Sequence, residues 1–127
     1  MSFPPISPAG YRYAQRLGLQ LFVAGQVPLN SESSLIGIGD PKVQTKQCLD
    51  NLSYLIRQHE FVLSDIRQFV IYVVGKQQNL DLAWEEVTRW FGGETPPATL
   101  LGVSKLGYSE QLIEIDATIV KEVKTVT

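Results

Sequence analysis

The sequence predicts an α+β fold in which two helices cover one face of a β-sheet. Three observations carry this. Two segments, Thr45 to Ile56 and Leu80 to Phe91, repeat apolar residues at helical spacing. Near the C-terminus Ile113, Ile115, Ala117 and Ile119 alternate with Glu114, Asp116 and Thr118, the period of a strand with one buried face. The full order reads strand, strand, helix, strand, helix, strand, strand, and such elements are buried by layering helices on a sheet.

The opening "MSFPPISPAG" is proline-rich and reads as an extended arm. Tyr11 stands at the start of a first strand, and "LFVAGQVPL" follows as a buried-type strand before the loop "NSESSLIGIGD". Asp40-Pro41 is a helix start, because Asp caps free N–H groups and Pro suits the first helical position. That helix runs to about His59, with Thr45, Cys48, Leu49, Leu52, Leu55 and Ile56 along its stripe. Cys48 reads as a packed core thiol, and His59, at the helix's polar end, as solvated and favourable to the dipole.

"DIRQFVIYVVG" is apolar on both faces after Phe69, the mark of a central strand covered on both sides. Asn79 is placed to cap the second helix, which carries Leu80, Ala83, Val87, Trp90 and Phe91 and stops at Gly92-Gly93. The strands "ATLLGVSKL" and "QLIEIDATIVKEV" close the chain. Both helices cover one side of the sheet, so the other side calls for a second copy and the chain is expected to be an oligomer.

Composition narrows the function classes. With 127 residues, 44% hydrophobic and 19% charged, residues 1–127 are expected to form one domain. A net charge of −2, with 11 basic residues scattered among 13 acidic ones, gives no footprint for nucleic acid. Cys48 is the only cysteine and His59 the only histidine, so neither a disulfide, a zinc signature nor any other metal site is expected. No segment is long and apolar enough to span a bilayer, and the start lacks a basic region followed by an apolar run; a cytoplasmic location is expected.

Several local patterns coincide with one family. "LFVAGQVPL", "QTKQCLDNLSYLI", "LSDIRQFVIYV", "WEEVTRWF", "TPPATLLGVSKL" and "LIEIDATIV" resemble, in order and at similar spacing from about Tyr11 to Ile119, the corresponding segments of the RidA/YjgF (reactive intermediate deaminase) family. The resemblance implies a chorismate-mutase-like α+β fold, a mixed sheet with two helices on one face. It also implies a homotrimer with small-molecule clefts between subunits and no cofactor. Active members hydrolyse reactive 2-imino acids to 2-keto acids and ammonia. In them an arginine grips the substrate carboxylate, a glutamate positions water, and a tyrosine, a serine and an asparagine line the cleft.

Carried onto this chain, the resemblance gives Tyr11 for the tyrosine and Glu114 for the catalytic glutamate, allowing one extra residue in "LGYSEQL". Ala24 replaces the serine, Trp84 the asparagine and Ala98 the arginine. The uncharged stretch from Thr95 to Val103 is then a pocket wall without its anchoring cation, with Ala98 facing the cleft and Trp84 and Leu100 near it. Arg12, Arg16 and Lys105 are the cations that the pattern brings near enough to stand in. An imine or enamine deaminase with an altered pocket is the leading expectation; a non-catalytic trimer that binds a small metabolite or a protein is the alternative. Some relatives have been described as ribonucleases or translation inhibitors, which the acidic pI near 5.3 and the lack of a histidine pair argue against.

Overall fold

A computed structural model describes residues 10–123; the proline-rich arm up to Ala9 lies outside the described residues. Five strands, β1 (Ala14–Leu17), β2 (Gln20–Val23), β3 (Ile66–Val74), β4 (Ala98–Val103) and β5 (Ile113–Val120), form one sheet in the order β1-β2-β5-β3-β4. All neighbours are antiparallel except β3 and β4, which are parallel and joined through a helix, as a parallel pair requires. The helices α1 (Pro41–Gln58) and α2 (Gln77–Phe91) pack on one face. Among the described residues no helix is long and apolar enough to cross a membrane.

Local chemistry sets the helix ends. The Asp40 carboxylate accepts from the N–H groups of Lys42 and Val43 at 3.1 and 3.2 Å, with Pro41 in the first turn. Gly92, at φ 66°, takes the left-handed turn that ends α2. Two expectations are corrected. Lys76, not Asn79, is the residue before α2; Asn79 lies in the first turn and its amide donates to the Val74 carbonyl at 2.9 Å. His59 is half-buried rather than solvated, with Nδ1 2.9 Å from the Leu55 carbonyl, one of the unpaired acceptors at the end of α1.

The core lies between helices and sheet. Cys48, Leu49, Leu52 and Ile56 of α1 and Ala83 and Val87 of α2 meet Phe69, Ile71 and Val73 of β3 and Ile113, Ile115 and Ile119 of β5. Leu80, Trp90 and Phe91 seal its margin. The alternate residues of β3, Val70, Tyr72 and Val74, point to the opposite face, where no element of the described chain covers them. Phe22 and Leu17, at the β1–β2 end of that face, are 51% and 72% exposed.

"LFVAGQVPL" is a strand only as far as Val23. From Ala24 the chain leaves the ladder and touches β5 through a single bridge, Gln26 to Ile115. Pro28 has no N–H to offer a ladder, and the carbonyls of Val27 and Leu29 are taken by the side chain of Asn51 at 2.9 and 3.0 Å.

Candidate functional site

Glu114 stands on the uncovered face of β5, directly opposite Tyr72 of β3, and Asp116 stands opposite Val70. The Tyr72 hydroxyl donates to Asp116 Oδ2 at 2.9 Å, so Asp116 is committed to a bond with the neighbouring strand. That bond, then burial, then the Asp116 and Glu114 charges raise the Tyr72 pKa above its ordinary value.

Two buried contacts aim the Glu114 carboxylate. Gln111 Nε2 donates to Glu114 Oε1 at 3.2 Å and to the Ile113 carbonyl at 2.9 Å, while Gln111 Oε1 accepts from the Tyr108 N–H at 3.1 Å. On the other side the carboxylate lies against Gly25; a Cβ there would meet Oε2 and come within 2.8 Å of Cδ. Oε1 is thus held and Oε2 is the oxygen directed at the backbone of Ala24–Gln26. A carboxylate fixed by one oxygen, with the other able to take a proton, has the form of a general base for a bound water.

Polar residues on the buried side of α1 build this arrangement from below. Gln44 Oε1 accepts from the Leu112 N–H at 2.7 Å, and its Nε2 donates to the carbonyls of Glu110 and Gly37 at 3.0 and 3.2 Å. Asn51 holds Val27 and Leu29 and accepts from Gln47 Nε2 at 2.8 Å. Gln44, Gln47 and Asn51 are all nearly or fully buried with their bonds made, as buried polar groups must be. One helix therefore fixes both chain segments that flank Glu114.

Tyr11 and Tyr13 meet edge to face at 5.5 Å between centroids, and burial, followed by the neighbouring Tyr108 and Tyr11, raises the pKa of Tyr13. The Ala24 N–H donates to the Tyr13 carbonyl at 2.8 Å, joining this cluster to the Gly25 turn. Arg12, Tyr13, Phe22 and Ala24 border a shallow recess of about 290 Å³.

The other expected site residues fall elsewhere. Ala98 and Leu100 pair with Phe69 and Ile71 and pack on the core, on the helix side of the sheet; Glu114 is on the opposite side. Within one chain, Ala98 and Leu100 do not line the face that bears Glu114. Trp84 is on α2 and 37% exposed. Among the stand-in cations, Arg16 donates to the carbonyls of Gly18 and His59 and sits over the Phe61 ring, while Lys105 and Arg12 are exposed. Phe91, Glu94, Pro96 and Pro97 border a separate recess of about 530 Å³.

Cys48 is fully buried, and burial, with the Glu114 charge second, pushes its thiol well above the ordinary range. Among the described residues no three His, Cys, Asp or Glu side chains gather as metal ligands. Gly25, Gln44, Asn51 and Gln111 were missed by sequence reasoning. The available signal was the run of amides, Gln44, Gln47 and Asn51, on the apolar side of an amphipathic helix, where each had to find a partner.

With this geometry, comparison with known proteins is direct. The family model described as Endoribonuclease L-PSP matches residues 4–121. A RutC family protein of Pyrococcus horikoshii is 35% identical over 119 residues, 93% of this chain and 90% of that protein. The chain belongs to this family, the RidA/YjgF family. Among solved structures, a candidate endoribonuclease from Thermotoga maritima superposes with a TM-score of 0.83 at 27% identity, covering 94% of this chain and 93% of that one. The YjgF gene product of E. coli gives 0.82 at 21% identity, over 94% of each chain, a likeness of fold.

Proposed function

We propose that this protein is a homotrimeric imine or enamine deaminase whose cleft, formed between copies, has lost the carboxylate clamp of its relatives. The observation that carries this is the Glu114 carboxylate on the uncovered face, held on Oε1 by Gln111 and laid against Gly25. In the reaction a water attacks the imine carbon while Glu114 accepts one of its protons. The resulting carbinolamine takes that proton at nitrogen; as the C–N bond breaks, Glu114 accepts the proton of the new hydroxyl, so that a carbonyl compound and ammonia leave. An enamine enters the same route after tautomerising to its imine.

Self-association is supported by the apolar face left open beside Glu114, where Val70, Val74, Leu101 and Val103 share one side of the parallel pair. Ala98 in place of the family arginine supports a cleft that holds the substrate carboxylate without a guanidinium, so simple 2-keto acids should bind weakly and 2-aminoacrylate should be turned over with a high KM. The test is ammonia release from 2-aminoacrylate generated in place by a dehydratase, with sedimentation equilibrium for the trimer. Release no faster than without the protein counts against deaminase activity.

A second reading, a trimer that binds a metabolite without turning it over, is favoured by the polar groups missing at Ala24, Trp84 and Ala98. Thermal stabilisation by a ligand that is not consumed would select it.

A further inference from the structure

A further recess lies away from Glu114. A groove of about 760 Å³, in the range of small-molecule sites, runs between the outer surface of α1 and the end of α2. It is on the helix side, so it stays open whatever covers the face that bears Glu114.

Its chemistry is specific. The Trp90 indole lines the groove and is locked from two sides: Nε1 donates to Asp50 Oδ1 at 3.0 Å, and the ring meets Phe91 edge to face at 4.9 Å. Lys46 bonds the other Asp50 oxygen at 2.7 Å, so these two charges cancel. Tyr54 extends the aromatic wall. Two lining groups are left uncommitted. Ser53 lines the groove, and its hydroxyl, which makes no hydrogen bond within the described residues, is open to it. Arg57 has no carboxylate within ion-pair distance among them.

We propose that this groove is a second binding site, for a planar aromatic monocarboxylate. The ring lies against Trp90 and Leu63, whose orientation is set before binding, so little side-chain freedom is lost. The carboxylate pairs with Arg57, and the Ser53 hydroxyl meets a polar atom of the ligand. With Lys46 and Asp50 cancelling, one uncompensated cation selects a monoanion over a dianion.

The experiment uses 1-naphthoate and its neutral counterpart 1-naphthamide, with the intact protein. Titration calorimetry gives affinities, and ¹H–¹⁵N spectra follow the Trp90 and Trp84 indole N–H signals. Expected is saturable binding of 1-naphthoate that moves the Trp90 signal and leaves Trp84 in place. Arg57→Gln, at an exposed position, should weaken naphthoate roughly tenfold or more and leave naphthamide unchanged. Glu114→Gln should not change naphthoate affinity, which separates this groove from the cleft whether or not the protein has deaminase activity. Absence of saturable binding, an affinity indifferent to Arg57→Gln, or shifts centred on Trp84 would each overturn the proposal.

Discussion

Gly25 and the Glu114 carboxylate occupy adjoining space that no other residue at position 25 leaves intact. The atoms that an added Cβ would strike are the far end of a flexible side chain, not backbone, so the collision is relieved by moving the carboxylate. Gly25→Ala should therefore leave the melting temperature nearly unchanged while lowering kcat by roughly 10- to 100-fold, the cost of a catalytic group misplaced by about an ångström. Kinetics and thermal melts of the same preparation check this. A large loss of stability with normal kcat would mean that the glycine serves the fold alone.

Asn51 is the pin under the Ala24–Leu29 segment. Asn51→Leu keeps the volume but strands the carbonyls of Val27 and Leu29, and the Gln47 amide loses its acceptor. A stability loss of about 2 kcal/mol or more is expected from unpaired buried groups. Urea denaturation measures it.

Tyr72 should make the protein sensitive to alkali. Its bond to Asp116 raises its folded pKa, so the native state keeps the proton where the unfolded chain has released it. The stabilisation is whole below the unfolded value of about 10 and is lost as pH rises through the folded pKa. Tyr13 acts in the same direction and Cys48 begins lower, from about pH 8.5–9. Tyr72→Phe should flatten the decline in stability above pH ~10, seen in denaturation midpoints measured from pH 8 to 11.

Cys48 should be silent to thiol reagents in the native protein. It is fully buried, and its pKa is raised, so both access and thiolate are lacking. Reaction with a colorimetric disulfide reagent should be stoichiometric in denaturant and negligible without it.

The features legible in the sequence are those with local causes. Asp40-Pro41 starts α1 and Gly92 ends α2 because a cap and a left-handed turn need only near neighbours. The period-two pattern of β5 put Glu114 and Asp116 on one face, where they are. Distant contacts misled the rest. "LFVAGQVPL" has strand composition, yet its second half obeys Asn51, more than twenty residues away in sequence. Asn79 has the chemistry of a cap but spends its amide on Val74. Nothing local to Gln111 marks it as a partner of Glu114, because only the folded loop turns its amide onto that carboxylate. Alternation along β4 sends Ala98 and Leu100 to the helix side, which residue-by-residue likeness to the family does not reveal.

The central claim is that Glu114 handles the water that hydrolyses an imine, and one comparison tests it most directly. Wild type and Glu114→Gln, matched for fold by circular dichroism and for assembly by sedimentation, are assayed for ammonia released from 2-aminoacrylate. The substitution keeps size and a hydrogen-bonding head but removes the proton acceptor, so the wild type should exceed the spontaneous rate and the variant should lose roughly 100-fold or more of the enhancement. Equal rates in the two proteins, with both above background, would contradict the role assigned to Glu114.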